Sequence, residues 1–387
     1  MSVNDRKRIC IVISSPYTLE VFLVAQLRAL CAIYDVTVVV NTHDDNLLTR
    51  LNIRGHLRRF PIKRKIALAQ DALCLLKLCN ILARERFDIV HSITPKAGLL
   101  TMAAGFFTKT PVRIHTFTGQ VWGTRKGWMK SVLKLADELT ASFATHILVD
   151  SESQRQYIVA EGIVAEAKAT VLGNGSLNGV NIERFRPNEA ARKTIRLALS
   201  IAQGAFVVLY MARLTRDKGA IAMAVAFAAF AQEFDDAHLI VVGPDEELLR
   251  PEIANICARC RDRVSFVDLV HVPENYMASA DVLCLPSFRE GFGNVLINAS
   301  AAGIPVVASR IYGIVDAVED NVTGFLFEVG DTDGFVVCLR KLKESRELRQ
   351  EMGTRGRLRA AEKFSEELLT VSLLEFYRSR LAADGKR

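Results

Sequence analysis

Two stretches of the sequence hold residue types at spacings that could do chemistry on phosphates. The first is Met211-Ala-Arg-Leu-Thr-Arg-Asp-Lys-Gly219. It follows a short apolar run and precedes a very apolar helical segment, which puts Arg213 and Lys218 on a strand-to-helix loop. Arg can hold two oxygens at once and Lys supplies a point charge, a pairing that suits a diphosphate. Two cations on a solvated loop would read the same way. The second stretch is Pro286-Ser-Phe-Arg-Glu-Gly-Phe-Gly-Asn294. Its two glycines sit just before a helical segment, so the backbone N–H groups of Gly291, Phe292, Gly293 and Asn294 would point out of a helix N-terminus, where anions bind. Glu290 stands at the tip of this loop. It either accepts hydrogen bonds from sugar hydroxyls or serves as an acid favoured by the helix dipole.

These loops need strands and helices to hold them, and the sequence supplies a repeating alternation. Strands are expected at 8–14, 35–41, 87–92, 112–117 and 145–150, then at 206–211, 238–242, 264–267, 282–285 and 306–308. Helices are expected at 19–32, 66–85 and 128–144, then at 219–234, 253–261, 295–301, 332–343 and 366–381. Strands that read as unbroken apolar runs are buried on both faces, which means parallel sheets with helices on either side. The count is enough for two doubly wound sheets in tandem. Apolar periodicity lapses over 180–188 and Pro187 interrupts it, so the expected domains are 1–185 and 186–365, with helix 366–381 able to pack back onto the first. Open α/β sheets bind ligands at the carboxyl ends of their strands. Two such sheets facing across a cleft would make a small-molecule site.

Composition narrows the classes. The chain has 387 residues, half of them apolar and 24% charged, which is enough to bury a sizeable core. The longest unbroken apolar run, 220–231, is far short of the roughly 20 residues of a membrane span. The opening MSVNDRKRICIVIS reads as a first strand and not as a signal peptide. Eight cysteines, including the lone Cys257/Cys260 pair, lack ligand spacing to histidines, so a reduced cytoplasmic protein without a bound metal is expected. Asp44-Asp45 and Asp235-Asp236 read as loop residues.

Charge is uneven. Residues 1–185 carry 24 Lys and Arg against 15 Asp and Glu, and the remainder 26 against 28. Arg54, Arg58, Arg59, Lys63, Arg64 and Lys65 fall in one twelve-residue stretch with no acid. Either this is a solvated loop or it meets an anionic membrane surface. No helix-turn-helix or RNA-binding signature accompanies it, which argues against nucleic acid.

The same residues carry a resemblance. HSITPKAGLLTMAAG (91–105), HTFTGQVWGTRKG (115–127), THILVDSESQR (145–155), NGVNIERFRP (178–187), ARLTRDKG (212–219), ADVLCLPSFREGFGNVLINASAAGIPVV (280–307) and TGFLFEVGD (323–331) stand in family order. Together they resemble the retaining family 4 glycosyltransferases of the GT-B fold, in particular the bacterial branch that builds lipid-linked oligosaccharides, O-antigen and capsule. The resemblance implies a metal-independent hexosyl- or N-acetylhexosaminyltransferase. Its co-substrate would be a nucleotide sugar, in all expectation a UDP-sugar, and no other cofactor is implied. Its acceptor would be a polyprenyl-diphosphate-linked saccharide at the inner face of the plasma membrane. Arg213 and Lys218 match the family's diphosphate pair, and Glu290 matches the first acid of its E-x7-E motif. Asn298 stands where the family usually has the second glutamate, which holds the ribose. Thr118 stands where many relatives have a histidine; His115, three residues earlier and by strand alternation on the opposite sheet face, is either its substitute or a packed strand histidine. Ser15 lies in Ser14-Ser-Pro-Tyr17, in place of the glycine pair of many relatives, where the backbone would approach the donor phosphates. The departures at Asn298 and Thr118 keep a non-catalytic donor-binding subunit as an alternative. A sugar-nucleotide epimerase on the same fold is another.

Overall fold

A computed structural model describes residues 6–62 and 67–384. The chain divides into two compact units. One runs to Asn178 and takes back the chain from Glu366, and the other is Gly179–Ser365. The division falls seven residues before the expected 185/186 boundary. The reason is that Val180 is already tied to the second unit: it is buried, it donates its N–H to the Phe364 carbonyl at 2.7 Å, and Phe185 is packed in the same core.

The first unit is built on a 7-stranded parallel sheet in the order β3-β2-β1-β4-β5-β6-β7. The strands are β1 (Arg8–Ile13), β2 (Asp35–Val40), β3 (His56–Arg59), β4 (Ile89–Ile93), β5 (Val112–Phe117), β6 (His146–Val149) and β7 (Ala169–Val171). The inner strands are buried on both faces, as their Ile- and Val-rich runs require. Two hydrophobic cores flank the sheet, one against helices Leu68–Glu85, Pro95–Phe107 and Gly127–Phe143, the other against Val24–Ile33 and Glu366–Asp384. The helical segment Pro16–Ile33 is long and apolar enough, by length and composition alone, to cross a membrane. Here Leu19, Leu23, Leu27 and Leu30 of that segment are buried against the sheet.

The second unit holds a 6-stranded parallel sheet in the order β10-β9-β8-β11-β12-β13. Its strands are β8 (Phe206–Met211), β9 (Ala237–Val242), β10 (Val264–Val267), β11 (Val282–Leu285), β12 (Val306–Ser309) and β13 (Gly324–Phe327). The apolar helix Ala220–Glu233 packs Met223, Phe227 and Phe230 onto one face. Arg196 is fully buried, and Asp281 at the foot of β11 answers its charge at 2.8 Å. The expected helix 253–261 is broken into Arg250–Ile256 and a 3-10 segment, Ala258–Arg263. Cys257 and Cys260 lie at that break, both buried and free. Burial raises both thiols.

Each sheet has one place where neighbouring strands send their chains in opposite directions. In the first unit it lies between β1 and β4, and in the second between β8 and β11. Such switch points leave a crevice at the carboxyl ends of the strands.

Candidate active site

The second-unit crevice collects most of the residues singled out from sequence. The loop after β8 carries Arg213 and Lys218, and the loop after β11 carries Glu290. Lys218 Nζ donates to Glu290 Oε1 at 2.6 Å. Ser287 Oγ donates to the same oxygen at 2.9 Å. The Lys218 and Glu290 side chains are only 19% and 11% exposed, so the pair is sheltered but reachable.

Close packing of the two loops makes this meeting possible. Gly219 has φ +73°, and a Cβ there would sit 1.9 Å from the Pro286 carbonyl oxygen. Only glycine fits both demands. Phe288 N–H donates to the Asp217 carbonyl at 2.9 Å, a second tie between the loops. Tyr210, nearly fully buried on β8, directs its hydroxyl to the carbonyls of Arg213 (3.3 Å) and Lys218 (3.2 Å) and so pins the first loop from beneath. Burial, and then the nearby Glu290 charge, raise its phenol well above the ordinary value. Arg213 points to a more open place, where Nη1 meets Glu246 Oε2 at 2.6 Å.

Gly291 to Asn294 lead into helix Asn294–Ala301, with Gly293 as its left-handed N-cap. Phe292 sends its side chain inward, 2% exposed, against Phe364, so its part in any site is its backbone. Gly313 presses on this loop from behind: a Cβ there would lie 2.5 Å from the Gly291 carbonyl oxygen. Asn298 sits one turn further along the helix, half-buried, and its carboxamide makes no hydrogen bond among the described residues. The assembly is therefore a cation, a carboxylate and a helix N-terminus around one crevice. It can take an anion on the N–H groups and Lys218, and hydroxyls on Glu290.

In the first unit, Ser15 stands at the β1/β4 switch point, at the start of the helical segment, and its hydroxyl makes no cap. Its neighbour Ser14 shares a 2.8 Å hydrogen bond with Thr94 across the switch point. Thr94 holds φ +81°, a costly conformation for a β-branched residue.

His115 is not in a crevice. It is 1% exposed inside the layer between the sheet and helix Pro95–Phe107. Its Nδ1 pairs with Ser92 Oγ at 2.9 Å, its ring stands edge-on to Phe117, and a Cβ on Gly98 would lie 2.3 Å from its Cε1. Burial lowers its pKa to about 3. His91, on the neighbouring strand, faces the opposite layer, with Nδ1 to Tyr377 Oη at 2.6 Å and Nε2 to Thr116 Oγ1 at 2.7 Å. Beside it is a small cavity of ≈ 20 Å³, also lined by Thr116, Asp150 and Ser176, with room for one water.

The basic stretch also reads differently in space. Although no acid interrupts it in sequence, β3 brings acids to it. Arg58 meets Glu85 at 3.2 Å, Arg59 meets Asp45 at 3.1 Å and His56 meets Asp35 at 3.2 Å. Lys63, Arg64 and Lys65 lie outside the described residues. Among the described residues no three His, Cys, Asp or Glu side chains gather as a metal site.

Sequence reasoning missed Ser287, Tyr210 and Glu246, which position the charged residues. Ser287 carried a signal, a hydroxyl three residues before Glu290 in a turn-rich loop. Tyr210 carried none, because its partners are backbone carbonyls of the loop folding back over it, and Glu246 carried none, because Arg213 is brought to it by the parallel pairing of β8 and β9.

Residues 191–359 match the family model described as glycosyl transferases group 1, and residues 19–175 match the glycosyl transferase 4-like domain. The capsular polysaccharide biosynthesis glycosyltransferase CapM of Staphylococcus aureus is 34% identical over 330 residues, covering 84% of this chain and 86% of CapM. A UDP-Gal:alpha-D-GlcNAc-diphosphoundecaprenol alpha-1,3-galactosyltransferase of Escherichia coli is 26% identical over 290 residues, 74% of each chain. The crystal structure of HepE from Anabaena in complex with UDP and glucose superposes with a TM-score of 0.82 at 20% identity, over 96% of this chain and 99% of HepE. The two parallel-sheet units are those of the GT-B fold.

Proposed function

The chain belongs to the group 1 glycosyl transferases, and we propose that it is a retaining enzyme of cell-surface polysaccharide synthesis. It moves a hexosyl or N-acetylhexosaminyl group from a UDP-sugar to a polyprenyl-diphosphate-linked saccharide. The observation that carries this reading is the meeting of Lys218, Glu290 and Ser287 at the β8/β11 switch point, beside the glycine-rich N-terminus of helix Asn294–Ala301.

Lys218 and Arg213 take the donor diphosphate and stabilise it as it leaves, the point at which preorganised charge contributes most. The N–H groups at Gly291–Asn294 hold the same phosphates. Glu290 is anchored by Ser287 and accepts hydrogen bonds from the hydroxyls of the transferred sugar. Asn298 lies toward the ribose. In the reaction the bond from the anomeric carbon to the diphosphate oxygen breaks through an oxocarbenium-like state. The acceptor hydroxyl forms the new bond on the same face, and its proton passes to the departing phosphate. The first unit, with Ser15 at its own switch point, takes the acceptor.

The UDP donor is supported by the UDP and glucose in the HepE complex, and the lipid-linked acceptor by the substrate in the Escherichia coli relative's name. Such an acceptor places the enzyme peripherally on the cytoplasmic face of the membrane. Purified protein is incubated with a panel of nucleotide sugars and a lipid extract containing polyprenyl-diphosphate saccharides, and products are resolved by mass spectrometry. Transfer with retention from a UDP-sugar supports the reading. Donor epimerisation without transfer, or donor binding without turnover, overturns it in favour of an epimerase or a non-catalytic subunit.

A further inference from the structure

Helix Gly127–Phe143 is apolar on both sides: Leu133 and Ala141 pack into the core of the first unit, and a second apolar line faces away from it. The side facing the first unit carries Asp137, 8% exposed, whose carboxylate accepts from Trp122 Nε1 at 2.8 Å. The side facing outward carries Trp128 (73% exposed), Val132, Leu135 (52%) and Leu139. These four recur at spacings of four, three and four, so they form one line along the helix. The other exposed residues on that line are serines, Ser131 and Ser142, and no charge interrupts it. Phe106 and Phe107, both exposed, extend the patch by packing on Phe143 at the helix end. Contiguous apolar surface of this extent marks an interaction face.

The charges around it say what covers it. Arg125 and Lys126 are exposed at the start of the helix and Lys109 beside its end. Lys130 and Lys134 run along one flank, each within 6 Å of the Trp122 ring centre, and Lys134 also meets Glu161 at 2.9 Å. Against these cations stand Glu161, paired with Lys134, and one partly exposed acid on the helix itself, Glu138, so Arg125, Lys126, Lys109 and Lys130 make the margin cationic. An apolar line with Trp at one end and a cationic margin suits the boundary of an anionic bilayer, where indole rings settle at headgroup depth and Lys and Arg meet lipid phosphates. A second copy of the chain fits less well. The seam spans two heptads, where coiled coils sustain three or four, and a copy would bring more cations to the cationic margin.

We propose that helix Gly127–Phe143 lies in the membrane interface, with Trp128, Val132, Leu135 and Leu139 toward the acyl chains, and that this face holds the first unit on anionic lipid. The proposal deepens the reading of a lipid-linked acceptor, but its test contains no acceptor, so the two stand or fall separately. Full-length protein is co-sedimented with vesicles of phosphatidylglycerol and phosphatidylcholine, and with phosphatidylcholine alone. Tryptophan emission is followed with brominated lipid; Trp122 is fully buried, so quenching reports Trp128. The expected result is binding to the anionic vesicles with quenching, reduced by salt. Trp128→Ser with Leu135→Ser should reduce the partition coefficient about tenfold or more, as should Arg125→Glu with Lys126→Glu by a separate route. Both pairs are exposed, and circular dichroism confirms that the fold is kept. Wild-type partitioning of both double variants overturns the proposal. So does a wild-type dimer in sedimentation that Leu135→Asp converts to monomer while vesicles bind neither form.

Discussion

Lys218 Nζ and Glu290 Oε1 meet at 2.6 Å although 72 residues separate them in sequence, because β8 and β11 are neighbours in the sheet. Opposite charges held this close leave each other partly neutralised until a diphosphate draws the lysine and sugar hydroxyls draw the carboxylate. Lys218→Ala or Arg213→Ala should lower kcat on the order of 100-fold or more. Steady-state turnover together with circular dichroism checks this, and near-normal turnover in both folded variants removes the assignment.

Asn298 has an unoccupied carboxamide on a half-exposed helix position, so a longer carboxylate meets solvent and not packed core. Asn298→Glu should raise affinity for UDP, by up to roughly tenfold, because hydrogen bonds to charged acceptors are about 1–1.5 kcal/mol stronger than to neutral ones. Titration calorimetry gives the answer. A loss of affinity would show a pocket rebuilt around asparagine.

Asp137 is held at a pKa of about 7, well above its ordinary value, because burial disfavours the carboxylate more than the Trp122 N–H favours it. An acid raised in the folded state binds its proton more tightly there than when unfolded. Its contribution is therefore fully present below about pH 4 and is lost as pH rises to about 7, at roughly 1.4 kcal/mol per pH unit. Asp137→Asn keeps an acceptor for Trp122 and has nothing to ionise. Its stability relative to wild type should climb between pH 4 and 7 and level off above, in urea melts across pH.

His91 and His115 titrate in the opposite sense. Burial lowers both to about 3, so the folded chain stays neutral where the unfolded chain takes up protons. Stability falls as pH drops from about 6.5 toward 3, again at roughly 1.4 kcal/mol per unit for each group. His115→Asn should soften this acid lability and leave kcat close to wild type. A collapse of kcat at unchanged stability would restore His115 to the reaction.

Tyr377→Phe removes the partner of His91 Nδ1 and should cost about 1–3 kcal/mol, the penalty for stranding a buried polar atom. Chemical denaturation measures it, and an unchanged midpoint would mean that the ring nitrogen finds another partner.

The doubly wound character of both units was legible because inner strands such as β1, β8 and β9 are continuous apolar runs. β3, His-Leu-Arg-Arg, and the three-residue β7 were not, since edge strands need few apolar residues. Neither was β13, whose Gly-Phe-Leu-Phe is too short to signal itself. Helix Pro95–Phe107 escaped because it is buried nearly all round and carries no amphipathic period. In the site, the charged loop residues could be read from their place between strand and helix. For His115, alternation along the strand tells which face its side chain takes, but not that Gly98 lets a helix close over it. The acids that meet Arg58 and Arg59 lie on other elements, and a local count of charge cannot see them.

The return of Glu366–Asp384 to the first unit has a consequence for how the protein is made on the ribosome. The second unit is one uninterrupted stretch, Gly179–Ser365, and can close as soon as it emerges. The first unit cannot. On one face its sheet waits for Leu373, Phe376 and Tyr377 to complete the layer that Val24–Ile33 begins, and His91 waits for the Tyr377 hydroxyl. At about 5–20 residues per second, the intervening stretch takes roughly 10–40 s to synthesise. For that time the half of the protein made first is the half still open, with the apolar face of its sheet exposed to whatever in the cell holds unfinished chains.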